Sequence, residues 1–526
     1  MDRENGICDP VMGANDRESA ICMQRSWLRL RATRSLSENR FMTKRSETVA
    51  EREWHELKAE LEGRQGETLN LLDVERSIQE HLGAMGRELM VATMKKADSD
   101  CPEVEIDGAT WGARSVTPGE YFTLFGWISI ERSVYQQSGR GRVAVPMDLR
   151  LGIVERAYTP RVARIVTRAT AVMTDEEAAE LLVEIGTASV SKSSISRVSR
   201  AMAARYEQRR PVIEASLRSQ ESIPSGAVTV QVALDGVMVP QDGEHAKPRG
   251  RKSEEPAPPR HELRYGAPLV EPPASSDGTL GRSWHEASVG TVAFFDGDGS
   301  RLHTIYHARM PEAFKATLVK HLTDELMSVI AERPDMNVVF ASDGAAPQWS
   351  SLRAMANALP ANFTGHTMDL VDAFHVAEYL QKAADAIDGK DTKEARIQSA
   401  TWRETVKEAG GPMTVLRSMR ARRTSVPTDA REKELDAAIG YVDRQNKAGR
   451  MDYAEAIERN YPIGTGITEA AAKTVVGTRM KRAGARFSQH GGQTVMLFRT
   501  ALLSNRFEAL HRELGKSYAK HVREAA

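Results

Sequence analysis

Three acids stand where a carboxylate is costly unless something compensates it. Asp235 lies inside the apolar run VTVQVALDGVMVP, which predicts a buried β-strand, and Asp343 ends a second such run, NVVFASDGAAPQW. Glu469 opens GTGITEAAAKTVVGTRMKRAGARF, whose spacing predicts an amphipathic helix. An acid in or at the end of a buried strand must be paired or bind a metal. Two aspartates from strands and a glutamate from a helix are hard oxygen donors. Such a set suits two Mg²⁺ (or Mn²⁺) ions, which bind through a few carboxylates and substrate phosphate. The chemistry would be displacement at phosphorus, with two ions ~3.5–4 Å apart activating the attacking hydroxyl and stabilising the leaving oxygen.

Each acid also has a plainer role. Asp235-Gly236 and Asp343-Gly344 are turn-forming pairs. Glu469 suits a helix N-terminus or pairs with Lys473 four residues on. A second aspartate competes for the middle place: Asp372, with His375 in the same turn, begins a helix after an apolar strand over 365–371. Asp372 and His375 are therefore auxiliary candidates for the metal site. Beyond Glu469, Arg479, Arg482 and Arg486 fall on one helical stripe, with Lys473 and Lys481 nearby. That stripe is either a solvated face or a grip on a DNA backbone, giving affinity without sequence information.

The elements that must position these groups are unevenly spread. The chain has 526 residues, 41% hydrophobic and 27% charged, enough for about two to four soluble domains. Its formal net charge is zero, so contact with nucleic acid has to rest on local basic clusters. No apolar stretch reaches the length of a membrane span, and MDRENGICDP is no signal peptide. Three scattered cysteines, Cys8, Cys22 and Cys101, make neither a disulfide framework nor a CxxC zinc knuckle. The expectation is a cytoplasmic, nucleoid-associated protein with no membrane partner.

Residues 1–46 form a poorly ordered basic tail in this reading, and Met42 is an alternative start to Met1. A region over 47–215 follows, with helix over 47–97 and a small β segment, YFTLFGWISIERSVYQ, bounded by Pro118-Gly119 and SGRGR. Strands fall at 228–239, 286–296, 301–308 and 337–342, the second and third joined around Asp296-Gly297-Asp298-Gly299. Residues 241–283, rich in proline, glycine and mixed charge, read as a disordered insertion. They interrupt the first part of the α/β core, 216–382. A helical insertion over 383–460 then separates Asp343 from Glu469, which belongs to the last part of the core, 461–515.

A second signal lies over 174–207. Thr174 and Glu177 make a capping box for a helix with Ala178, Leu181, Leu182 and Ile185 on one face. Gly186 breaks it, and a second helix turns Ile195, Val198 and Met202 inward. Helix, glycine turn, helix is the spacing of a helix-turn-helix, leaving Lys192, Ser193, Ser196, Arg197 and Arg200 to face DNA. An ordinary helical hairpin with a solvated basic face has the same spacing.

Taken together, the Asp235 strand, ASDGAAPQW, MDLVDAFHVAEYLQKAADAI and GTGITEAAAKTVVGTRMKRAGARFS resemble a bacterial insertion-sequence transposase of the ISKra type, within the DDE group. The resemblance spans about 100 to 510 and includes Pro146-Met147-Asp148. It is most specific at Gly466, Glu469, Lys473, Lys481 and Gly484, with Phe487 where the family often has tryptophan. Members commonly carry paired cysteines for zinc; Cys101-Pro102 stands without partners, so no zinc is expected. The resemblance implies an α/β core of ribonuclease H-like type, a mixed sheet with flanking helices, plus a mainly α DNA-binding region. It implies Asp235, Asp343 and Glu469 as metal ligands, double-stranded DNA as partner (element ends and target), and a homo-oligomer on that DNA. In such a sheet the first strand is central and the fourth lies beside it, which favours Asp343 over Asp372 and sets Asp372 at the margin of the cleft. A catalytically inactive transposon-derived DNA-binding protein and a nuclease without joining activity are the alternatives.

Overall fold

The computed structural model describes residues 48–63, 70–137, 141–185, 190–241, 283–482, 485 and 487–524. The tail over 1–46 lies outside them, as does the 241–283 insertion except for Gln241 and Ser283, which end and begin strands. The chain divides into two compact units, with the division after Glu88.

The first unit contains α1 (Val49–Gly63) and most of α2 (Leu71–Lys95), two helices where the sequence suggested one helical segment. Ser77 and His81 of α2 bond Glu60 and Glu53 of α1, at 2.6 and 2.7 Å.

The second unit holds two five-stranded sheets. The smaller comprises β1 (Glu103–Ile106), β2 (Ala109–Thr123), β3 (Gly126–Gln136) and β4 (Val143–Ala144). The C-terminal β10 (Val522–Glu524) closes its other edge on β1, and every pairing is antiparallel. Pro118-Gly119 does not bound a strand, as the sequence suggested; it lies within β2, opposite Glu131 and Ile130. Beyond Gly112, β2 pairs on one side only, so a residue lacking an N–H is tolerated. A side chain at Gly119 would collide with Arg132, so glycine fits there too. The turn is instead at 124–125. Asp148, of α3 (Pro146–Leu151), accepts from Tyr121 at 2.5 Å and Arg132 at 3.3 Å, so the Pro-x-Asp element braces this sheet.

Four further helices, α4 (Pro160–Val172), α5 (Asp175–Glu184), α6 (Lys192–Gln220) and later α15 (Gln489–Leu503), form a helical layer with α16 (Phe507–Tyr518). Val166, Leu182, Ile195, Val198, Phe498 and Leu510 are among its buried residues. The Thr174–Glu177 capping box is present. Of the expected inward face of α5, Ala178 and Leu182 are buried, but Leu181 and Ile185 are 44% and 50% exposed. The helix is short, and Ala178 and Leu182 are the residues it buries in the helical core.

The larger sheet carries the acids. Its strands are β5 (Thr229–Gln241), β6 (Ser283–Phe295), β7 (Arg301–Arg309), β8 (Asn337–Ser342) and β9 (Thr367–Val371), in the order β7-β6-β5-β8-β9. The first strand is thus central, antiparallel to β6 and parallel to β8, with β9 parallel outside β8. The β6–β7 turn is set by Asp296, whose Oδ1 accepts from the backbone of Asp298 and Ser300. Alternation along β5 sends Val230, Val232 and Leu234 into one core and Gln231, Ala233 and Asp235 to the opposite face. On the first face lie α7 (Ala316–Glu332) and α8 (Ala346–Asn357). Gly290 lets α7 approach, since a Cβ there would meet Leu322 at 2.5 Å. From α9 (Ala373–Asp388) the chain is helical: α10 (Lys393–Thr405), α11 (Gly411–Ala421), α12 (Asp429–Lys447) and α13 (Tyr453–Glu458). Against the opposite face packs α14 (Gly466–Ala471), continued by a π-helical turn, Ala472–Gly477, and a last turn, Thr478–Met480. Phe487 packs partly buried against this second core. No described helix is long and apolar enough to cross a membrane.

Candidate active site

Strand register brings the three aspartates to one level. Ala233 pairs with Ala341, so Asp235 stands beside Asp343 two residues further on. Ser342 pairs with Val371, and the Asp372 N–H donates to the Ser342 carbonyl at 3.0 Å, so Asp372 is next in line. All three sit at the carboxyl-terminal edge of the parallel strands, where crossing connections leave a cleft.

Glu469 reaches this edge from the face above. Thr291 of β6 shares a hydrogen bond with Thr468 at 2.7 Å, and Gln231 donates to the carbonyls of Pro462 and Gly464 at 3.4 and 3.1 Å. These bonds fix the segment that enters α14. Gln231 and Thr291 escaped the sequence reading; a polar residue four before Asp235 on the same strand face was the available signal.

Burial is the main reason the Asp235 carboxyl sits above its ordinary range. The Gly236 N–H, donating to Oδ1 at 2.7 Å, opposes the shift, while the charge of Asp343 adds to it. Lys315 pulls the other way and is itself bonded to Glu286 at 2.6 Å. Glu469 is also raised, first by burial, then by the charge of Asp372 and a hydrogen bond shared with it; Lys473 opposes and Asp235 adds. The four acids therefore act on one another in a chain, Asp343 with Asp235, Asp235 with Glu469, and Glu469 with Asp372. Asp372 is 1% exposed and neighbours Glu469, a deeper place than the cleft margin expected for it.

The two competing aspartates differ in what they have left to offer. Asp372 accepts from the Phe374 N–H at 2.9 Å through Oδ1 and from the Thr465 hydroxyl at 2.6 Å through Oδ2. It caps α9 and ties the strand to the segment before α14. Asp343 accepts from Ala345 N–H at 3.0 Å and Ser342 Oγ at 3.2 Å, both through Oδ1, leaving Oδ2 unbonded among the described residues. The helical block braces the same edge from behind. Tyr441 donates to the Asp343 carbonyl at 2.8 Å, Gln445 to that of Gly344 at 3.3 Å, and Tyr453 to that of Val371 at 2.7 Å. Gly344 has φ 99°, and a Cβ would meet Gln445 and Tyr441 at 2.8 and 2.9 Å, so only glycine fits. His375 packs edge-on against Tyr379 and Tyr441, which stack at 3.8 Å, and lies 3.6 Å from Glu378.

The expected basic stripe is broken up. Lys473 and Lys481 are exposed, but Arg479 is 3% exposed and donates to the Thr170 carbonyl, so it is a buried strut and cannot meet DNA. Arg482 is engaged by both oxygens of Glu177, at 2.9 and 2.7 Å. Arg486 lies outside the described residues. The helix-turn-helix residues are likewise partnered by the acidic first turn of α5. Lys192 pairs with Glu176 at 3.0 Å, Ser196 bonds Asp175, and Arg200 acts on Asp175. Arg197 donates to Tyr158 at 2.9 Å, and Ser193 bonds Ser191 at 3.0 Å. That face carries less net positive charge than the sequence suggested.

As a cation site the edge has the right donors: carboxylates, of which Asp235 and Glu469 are held above their ordinary range by burial and by neighbouring acids, a repulsion that a bound cation would relieve. No three of these acids have ligand atoms all within 4.8 Å; among the described residues that closeness occurs only at Glu53, Glu56 and His81 in the first unit, an ion-paired hairpin surface.

No protein-family model matches the chain, and neither does any curated protein. Among solved structures it is similar to "Mos1 transposase paired-end complex with left transposon end", at 12% identity and a TM-score of 0.15, over 58% of this chain and 80% of that one. A second similarity is to "Crystal structure of the mariner Mos1 paired end complex with Mg", at 13% identity and a TM-score of 0.13, over 77% and 94% of the two chains. Likenesses this slight carry no argument about fold or activity.

Proposed function

We propose that the chain is a DNA transposase of the DDE group, with a ribonuclease H-like core, that cuts and joins the ends of its own element. The observation that supports this is the placing of Asp235, Asp343 and Glu469: two adjacent parallel strands and a helix deliver them to one sheet edge. Asp235, Asp343 and Glu469 would hold two Mg²⁺ or Mn²⁺ ions. When bound, these would lower the pKa of the attacking hydroxyl and stabilise the departing oxygen.

The chain's own residues do the rest. The Gly236 and Ala345 N–H groups each hold Oδ1 of Asp235 and of Asp343, so that Oδ2 of each would be the oxygen offered to a cation. Asp372 and Thr465 hold the approach of Glu469. Lys473 and Lys315 place positive charge beside the acids, where a phosphate would lie. Helices α5 and α6 are the expected reader of the element's ends.

The full chain should cut and join duplexes carrying the inverted repeats that flank its coding region, only when Mg²⁺ or Mn²⁺ is added. Asp235→Asn should abolish both steps while leaving binding within about twofold. Metal-independent cutting, or full activity in the variant, would refute the assignment. Cutting with no strand joining would favour a nuclease.

A further inference from the structure

Phe314 is 96% exposed, the most exposed large apolar side chain among the described residues. A loose loop would make that unremarkable, but this position is constrained. Phe314 and Lys315 are consecutive non-glycine residues at positive φ, 55° and 52°, between the end of β7 and the start of α7. Backbone in this region is strained for residues with a Cβ and persists where the surroundings enforce it, often at ligand clamps. The surroundings are visible: Lys315 is held by Glu286 at 2.6 Å, and Glu312 accepts from the Leu318 N–H at 3.0 Å. The turn is thus pinned on both sides of Phe314 while its ring stands in solvent.

The ring also stands in a telling place. β7 runs parallel to β5, and Ala308 pairs with Val289, which pairs with Asp235. The turn after β7 therefore leaves the sheet at the same edge as the acids, and Lys315 is near enough to act on Asp235. At the opposite side of that edge Phe374, 68% exposed, follows Asp372 and lies against Gly464. Two exposed rings bracket the carboxylates.

We propose that Phe314 is a stacking platform for one unpaired nucleobase of the strand whose phosphate lies among the carboxylates. This rests on the DNA reading above and goes further, since it says the duplex is opened at the cleft. A phenyl ring has neither charge nor hydrogen-bond donor for a phosphate but matches the face of any base, and such stacking is indifferent to sequence.

The test uses the full chain without divalent cation, so that no strand is cut. It compares a fully paired duplex with the same duplex carrying one unpaired 2-aminopurine. The wild type should bind the second about tenfold more tightly and change the fluorescence of the probe. Phe314→Ala should lose both effects and keep its affinity for the paired duplex; Phe314→Trp should keep both. Phe314→Gly should also lose them while raising the thermal midpoint, because glycine relieves the turn. If the preference survives in Phe314→Ala, or the wild type shows none while binding both duplexes, the stacking role is overturned and the DNA reading stands. If the wild type binds neither duplex, both fall.

Discussion

Asp343 and Asp372 stand at the ends of neighbouring strands at the same level, yet only Asp343 keeps an oxygen without a hydrogen bond among the described residues. Asp372 has spent Oδ1 on the Phe374 N–H and Oδ2 on the Thr465 hydroxyl, so its loss would disturb the approach of Glu469. Asp343 keeps Oδ2 for a cation. Asp343→Asn is therefore expected to remove nearly all metal-dependent cleavage. Asp372→Asn should lower it about 10–100-fold, as loss of a supporting bond does. Single-turnover cleavage rates of the two variants check this; equal loss would give both acids the same role, and the reverse order would exchange them. The acids themselves were legible, because a carboxylate inside an apolar run is an anomaly that asks for a reason. That Glu469 would lie beside Asp372 was not. It depends on the segment at 461–465 crossing the sheet, held by Gln231, and no local pattern encodes a crossing.

At the scale of elements, the helical block between α9 and α13 acts as a brace behind the cleft. Tyr441 reaches the carbonyl of Asp343 from α12, about a hundred residues along the chain, and stacks on Tyr379 of α9. Tyr441→Phe keeps the stack and removes the bond. It should cost roughly 0.5–1.5 kcal/mol of stability and lower the cleavage rate about tenfold, with DNA affinity unchanged. A drop in stability with no change in rate would show that the block only supports the fold. The strands of the larger sheet were legible from apolar period to within a few residues, whereas helix ends were not: the second helix of the 174–207 pair runs on to Gln220. The burial of Arg479 was not, and the π-helical turn at Ala472–Gly477 gives the reason. A turn closed by i→i+5 bonds shifts the helical phase, so a stripe counted at 3.6 residues per turn points the wrong way beyond it. Gly119 and Pro118 misled for a different cause: turn-forming residues also suit a strand that is unpaired on one side.

Across the second unit, buried charge joins the helices packed on the sheet to the helical layer. Arg506 donates to Glu325 at 2.5 and 2.9 Å and to Glu221, and His307 lies 3.2 Å from Glu325. These bonds hold the Glu325 carboxyl far below its usual range despite its burial. Such a carboxylate stabilises the fold above about pH 4.5, where it is charged in the unfolded chain too, and that stability is lost only on further acidification. A different group dominates the milder range. His511 lies in the helical core against Phe498 and Phe507, with Nε2 2.8 Å from the Thr167 hydroxyl. Burial, aided by the charge of Arg164, brings it down to about 3. The sign follows from the proton count. Below its ordinary value near 6.5 the unfolded chain binds a proton that the folded chain refuses, so stability falls as pH drops from 6.5 towards 3 and is flat above. His303 and His321 are also held low by burial and add to the same slope. Replacing one of the three should flatten the slope without abolishing it. Between pH 6.5 and 5, His511→Gln is expected to lose about 1–2 kcal/mol less stability than the wild type, with the two curves parallel above pH 7.5. Urea unfolding at each pH measures the difference. Parallel curves throughout would mean that His511 takes up its proton in the folded protein, and that the helical core opens to let it do so.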